Sequence, residues 1–262
     1  QTGIRISYSS SNNTLAENIC FSNDGRGITL SSSSNNNTLV ENICVDNIMH
    51  GIQSSSSSNY NNISYNLCTG NAQTGIAIFS NNNILSGNNC STNNWEGIVV
   101  QQAHNNTISN NIVVGNGETG IQLLYSTNNT FSDNNCTSNG YDGIQIACSS
   151  HNNTLSANIC SANMYVGIRI SQSDNNTLRE NTCSFGGHGI KLYSTGNSLI
   201  YDNILHNNTY YNGYSSSNTS VNMWDFYNQT NSGNYWDDYS GNGAYSIAGS
   251  SGEEDRQPNI YE

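Results

Sequence analysis

The stretch "ENICFSNDGRGITLSSSSNNNTLVENICVDN", Glu17 to Asn47, states one pattern twice. ENIC at 17–20 returns at 41–44, and NNTL at 12–15 returns at 36–39, a shift of 24 residues. Gly-Ile pairs begin at Gly3, Gly27, Gly51, Gly75, Gly97, Gly120, Gly143, Gly167 and Gly189, at intervals of 22 to 24 residues. A second column holds Leu15, Leu39, Ile63, Leu85, Ile108, Phe131, Leu155, Leu178 and Ile200. A third holds Asn18, Asn42, Asn66, Asn88, Asn111, Asn134, Asn158, Asn181 and Asn203. Two residues later comes a fourth, with Cys20, Cys44, Cys68, Cys90, Val113, Cys136, Cys160, Cys183 and Leu205. Columns held in register over so many copies mark a repeat architecture.

The unit is built from strands. GIRIS, GITLS, GIAIF and GIQIA alternate apolar and polar residues, the period of a half-buried strand. The apolar runs are too short for helices, and Asn, Ser and Gly between them carry turn chemistry. Three short strands and three turns per repeat predict an all-β fold, a right-handed parallel β-helix of about nine rungs. Leucine-rich repeats, the rival at this length, need more leucine than these copies contain.

Stacking explains the columns. Successive rungs lie ~4.8 Å apart, so an inward side chain rests on its counterpart one rung away. Ile on Ile and Leu on Leu give a narrow dry core. The Asn column fits a bend, where each amide reaches turn backbone and the next Asn. Cysteine shares the inward face with Asn and has two readings. Bridges Cys20–Cys44, Cys68–Cys90 and Cys136–Cys160 are within disulfide reach, leaving Cys183 and Cys148. Alternatively, each thiol is a small buried hydrophobe. No Cys-x-x-Cys or His cluster points to a metal.

Composition narrows the function. The 262 residues carry a net charge of −12, with only 6 Lys and Arg, and no basic run. Nucleic acid is therefore not an expected partner. No apolar run reaches the ~18 residues of a membrane span. The chain starts at Gln1, as a processed chain would. Asn-x-Ser/Thr sequons begin at Asn12, Asn36, Asn62, Asn105, Asn128, Asn152, Asn175, Asn207, Asn218 and Asn228, with further ones at Asn89 and Asn135. The expectation is an extracellular or cell-surface glycoprotein.

The repeat over 3–205, with NMWD at 222–225, GNYWDDYSG at 233–241, AYSI at 244–247 and DRQP at 255–258, resembles NosD-like proteins. These are parallel β-helix repeats of the carbohydrate-binding and sugar-hydrolase type. The resemblance implies β-helix repeats over 1–207 and degenerate last rungs with a C-terminal cap over 208–262. It also implies a cell-surface setting. In many relatives an acidic, Ca²⁺-binding loop follows GNYW. Here it is reduced to Ser240-Gly241-Asn242-Gly243, so no cofactor is expected. Copper delivery, the role of the family's namesake, lacks a His, Met and Cys cluster in this chain. The aromatic tail, including Tyr210, Tyr211, Tyr214, Phe226 and Tyr227, reads as the core of a cap over the open end. The sharper alternative makes Trp224, Tyr235 and Trp236 a sugar-binding platform.

Few residues point to catalysis. "FGGHGI" around His188 is similar to the Gly-His-Gly motif of polygalacturonases, but the preceding rung lacks the partner aspartate. The residue before Gly-Ile varies freely along the chain: Arg26, His50, Thr74, Glu96, Thr119, Asp142, Val166, His188. Arg169 and Lys191 share an outward column and read as solvated cations. His104 and His151 lie two rungs apart, too far to share a metal. The leading expectation is therefore a non-catalytic structural protein of the cell surface, stacking head to tail as a filament, sheath or surface layer. The alternative is an extracellular module that binds cell-surface glycans or cleaves polysaccharides as a lyase or glycoside hydrolase.

Overall fold

The computed structural model describes residues 1–55, 57–216, 221–225, 233–240, 244–249, 251–256 and 258–260. Among them the chain winds into three parallel walls, with no helix. The first wall has 10 strands, from Ile4–Ile6 to Tyr211–Ser216. The second has 9, from Thr14–Ala16 to Leu199–Tyr201. The third begins with Ile19–Phe21 on Ile43–Val45, passes through the bridges Ile43↔Leu67, Leu67↔Asn89 and Asn89↔Ile112, and runs on to Asn259–Ile260. The fold is a parallel β-helix, and its walls run on past residue 207.

Register follows the repeat. Ile4 pairs with Ile28, Leu15 with Leu39 and Cys20 with Cys44. Every strand pair between rungs is parallel, so like side chains stack into files. Ile28, Ile52, Ile76, Ile98 and Ile121 form one wholly buried file, and Leu39, Ile63, Leu85, Ile108 and Phe131 another.

Asparagine forms three ladders. The Asn18 file continues through Asn181 and Asn203, each Nδ2 donating to the next Oδ1, as from Asn42 to Asn66 at 2.9 Å. Each amide also donates to a wall carbonyl, as Asn66 does to Leu39 at 2.9 Å. Two more ladders run through Asn13, Asn37, Asn61 and Asn83, and through Asn23, Asn47, Asn71 and Asn93. They line the other two bends. The bends also hold residues in the left-handed region, as at Asn36 (φ 55°), Glu41 (φ 56°) and Asp46 (φ 53°). Asn, Asp and Gly tolerate that region best, which favours them at the bends.

Glycine before isoleucine is required by close approach. A Cβ on Gly143 would lie 2.6 Å from the carbonyl of Gly167, 2.7 Å from Asn163 Nδ2 and 2.9 Å from Cys160 Cβ. The cysteine file and an Asn ladder thus pack directly onto the glycine file. All eight cysteines are free thiols; seven are buried and Cys148 is half-buried. The side chains of Cys20, Cys44, Cys68, Cys90, Cys136 and Cys160, between which bridges were considered, face the core.

The C-terminal end corrects a sequence expectation. Trp224 and Trp236 are fully buried, their rings 5.9 Å apart, so neither can serve as a sugar platform. Tyr235 is half-buried in the last turns of the third wall. Tyr245 stacks on Trp236 at 4.0 Å and closes this small core. Tyr210 and Tyr211 do not join it; they are exposed on the outside of the first wall. Phe226, Tyr227, Asn218, Asn228 and the loop at Gly241, Asn242 and Gly243 lie outside the described residues. The sequon residues Asn12, Asn36, Asn62, Asn105, Asn128, Asn152, Asn175 and Asn207 are exposed, and all but Asn62 occupy left-handed bend positions.

Candidate functional site

The outer surface of the first wall gathers the chemistry that the core files do not use. Its last three strands are Val166–Ser171, His188–Tyr193 and Tyr211–Ser216. They are the longest in the wall, and their register fixes three files of side chains. Val166, His188 and Tyr211 stack in one. Arg169, Lys191 and Tyr214 stack in the next, and Ser171, Tyr193 and Ser216 in the third. Strand alternation turns the second and third of these files outward, because Ile168, Ile170, Ile190 and Leu192 between them belong to the core; in the first file Val166 is buried, His188 half-buried and Tyr211 exposed.

Aromatic side chains border the files. Tyr141 and Tyr165 lie on successive turns with rings 5.2 Å apart, both nearly half exposed. Tyr210 continues this edge, and His188 packs its ring against Tyr210 at 5.4 Å and Tyr211 at 5.7 Å. The ammonium of Lys191 stands 4.9 Å from the centre of the Tyr214 ring, a cation–π contact. Arg169, Ser171, Gln172, Lys191 and Tyr193 line a shallow hollow of about 400 Å³.

Arg169 is not a freely solvated cation. Its Nε lies 2.8 Å from Oδ2 of Asp142, and Nη2 donates to Oδ1 at 3.0 Å. Asp142 is buried in the file before Gly-Ile, so that position is part of the wall rather than a freely variable surface. Burial raises the Asp142 carboxyl to about 6, against the opposing pull of Arg169. Burial first, and then Lys191 and Arg169, lower His188 to about 4, so its imidazole is neutral at ordinary pH. Its Nδ1 is buried with no hydrogen-bond partner among the described residues. Burial and Arg169 also lower Lys191, while Asp142 opposes them.

Other polar side chains singled out in the sequence hold turns. His104 Nδ1 accepts from the backbone of Thr127 at 3.1 Å, and His151 Nδ1 from that of Asp174 at 2.8 Å. Asn18 through Asn181 are scaffold. The outer face was legible in part: Arg169, Lys191 and His188 follow from the repeat register. The Asp142–Arg169 pairing skips from one file to another, and periodicity does not show it.

Residues 1–96 and 78–241 match the family described as "Periplasmic copper-binding protein (NosD)". The chain belongs to the NosD family. Among curated proteins no match is found. Among solved structures, this NosD-family chain is similar to the periplasmic alginate epimerase AlgG, with TM-score 0.60 and 21% identity over 68% of this chain and 50% of that one. It is similar to tailspike protein 2 of Escherichia coli O157:H7 bacteriophage CAB120, with TM-score 0.61 and 14% identity over 77% of this chain and 34% of that one. It also resembles the A-module of the Azotobacter vinelandii mannuronan C-5 epimerase AlgE6, with TM-score 0.54 and 15% identity over 81% of this chain and 58% of that one. The chain spans about half the length of the alginate epimerase it matches. At these identities the likeness is one of fold.

Copper does not fit the residues of this NosD-family member. Copper favours converging thiolate, thioether or imidazole ligands. Among the described residues no group of three or more His, Cys, Asp or Glu converges, and the file cysteines are sealed inside the helix.

Proposed function

We propose that this chain is an envelope or extracellular carbohydrate-binding β-helix that holds a polysaccharide strand along the outer face of its first wall. The observation that carries the reading is the stacked file Arg169, Lys191 and Tyr214, flanked by His188 and by the exposed rings of Tyr141, Tyr165 and Tyr210. Aromatic faces pack against sugar rings, while fixed cations and amides orient the hydroxyl and acid groups around them. A flat, elongated row of such groups suits a polymer better than a small enclosed ligand.

The solved structures of similar fold support the same direction. They are alginate and mannuronan epimerases and a phage tailspike. The periplasmic descriptions of NosD and AlgG support an envelope or extracellular location. A structural filament has less support, because a rod needs no aromatic and cationic row on one face. Binding is favoured over hydrolysis. Glycoside cleavage uses an acid and a base carboxyl, and the carboxyl nearest the row, Asp142, is engaged by Arg169.

A glycan array probed with the whole chain tests this reading. Retention of polysaccharides is expected, with loss of most of the binding in Lys191→Ala and Tyr214→Ala. A blank array overturns the function. Unchanged binding by both variants moves the site off this face.

A further inference from the structure

We infer that the glycan is anionic and that a second anchor for it, Arg5, Arg26 and His50, stands at the opposite end of the same face. This rests on the carbohydrate-binding reading above and adds its substrate class.

Charge on this face is one-sided. The chain carries 18 Asp and Glu against 6 Lys and Arg, yet the first-wall strands contain no acidic residue. Four of the six cations lie here: Arg5 and Arg26 at one end, Arg169 and Lys191 at the other. In the file before Gly-Ile the acids Glu96 and Asp142 are both engaged, by the Thr74 hydroxyl at 2.8 Å and by Arg169, and one further acid, Glu118, stands in the edge file with Tyr141 and Tyr165.

The N-terminal cluster has the features of an anion site. Arg26 and His50 are neighbours in the file before Gly-Ile, and Arg5 is on the first strand, one turn away from Arg26. Burial first, and then Arg5, disfavour the charge of Arg26; burial first, and then Arg26, disfavour that of His50. Nε of Arg26 and Nδ1 of His50 are buried without a hydrogen-bond partner among the described residues. At the other end Asp142 relieves Arg169; here no ion pair to Arg5 or Arg26 forms among the described residues. A carboxylate or sulfate placed over Arg5 and Arg26 would accept from both guanidinium groups and remove their repulsion.

The track between the clusters is uncharged. It runs through Thr29, Gln53, Ala77, Val99, Gln122 and Gln145, with Gln122 donating to Gln145 at 2.8 Å. Five to eight strand spacings separate the two ends, about 24 to 38 Å at ~4.8 Å each. An extended polymer bearing acid groups along its length can touch both.

Calorimetric titration of the whole chain with oligogalacturonates of graded length, and with neutral gluco-oligosaccharides, tests this. Acidic oligomers long enough to span the two clusters are expected to bind at least about tenfold more tightly than short ones, a gain typical of a second tethered contact. The double variant Arg5→Ala/Arg26→Ala should lose that gain and leave short-oligomer binding intact. Arg26→Lys should recover part of it. Thermal melts confirm folding, and Arg26→Gln replaces the double variant if it fails to fold. Neutral oligomers binding as well as acidic ones would overturn the anionic class while leaving the carbohydrate function standing. Length dependence that survives loss of Arg5 and Arg26 would overturn the second anchor. No binding of either oligomer type would remove both readings.

Discussion

The indole nitrogen of Trp236 donates to Oδ2 of Asp255 at 2.9 Å, and the same oxygen accepts the backbone N–H of Asn234 at 2.8 Å. Asn234 extends the Asn18 ladder beyond Asn203. Glu253 repeats the arrangement one ladder over, accepting from Asn222 and from the indole of Trp224. The third ladder is interrupted after Asn163, where Gly186 follows; beyond the gap Asn208 donates to Asn212, which reaches Asp237. Each ladder donates in one direction, so its last member needs an acceptor with no onward donor. A carboxylate is that group.

Asp255→Asn should therefore destabilise the C-terminal turns. The new amide places a donor where three donors already converge, at a cost of about 1–3 kcal/mol for the buried mismatch. Chemical denaturation followed by tryptophan fluorescence reads it directly, because Trp236 loses its partner. An unchanged transition midpoint would show that the carboxylate is not what ends the ladder.

Gly143→Ala tests the glycine file. The added methyl meets the Gly167 carbonyl and Asn163 Nδ2 at distances real Cβ atoms do not adopt. Overpacking of this kind costs about 1–3 kcal/mol, and more where backbone must move. A lowered melting temperature with native-like strand content by circular dichroism is the expected result.

The thiols divide by access. Burial pushes Cys68, Cys136 and Cys183 well above the ordinary thiol range, whereas Cys148 is only half-buried. Iodoacetamide should label Cys148 first in the native protein and the file cysteines only after unfolding. Mass analysis with and without reductant of material from an oxidising compartment shows whether stacked neighbours such as Cys20 and Cys44 become bridged there.

Asp142 gives the outer face of the first wall a pH dependence. Its folded value, about 6, is above the ordinary carboxyl value. Between the two values the folded protein holds the proton more tightly, so this group's contribution to stability falls as pH rises through about 6. Below about 6 the carboxyl is neutral and Arg169 is left uncompensated. Affinity for an oligogalacturonate, still ionised in this range, should therefore rise from pH 7 to pH 5. Asp142→Asn should bind tightly throughout and lose the dependence; a variant that keeps it would place the titrating group elsewhere.

The repeat period, the strand alternation and the stacking of like residues were all legible in the linear sequence, because each side chain in a β-helix meets its own copy one period away. The Asn18 and Cys20 files followed from that rule alone. NNTL also held the Asn13 ladder, in the asparagine beside each sequon, and SND began the Asn23 ladder. Other relationships needed the folded chain. Trp224 and Trp236 lie where the period breaks, and only packing decided that they face inward onto Glu253 and Asp255. The Asp142–Arg169 pair crosses from one file to another over 27 residues, which no single period links. The two basic clusters at Arg26 and Lys191 stand far apart in sequence, and the winding of the rungs set them on one face. Sequence by itself thus determined what repeats, because identity between copies is what stacking requires. Tertiary structure decided what does not repeat: how the ladders end, which aromatics are buried, and which charges share a surface.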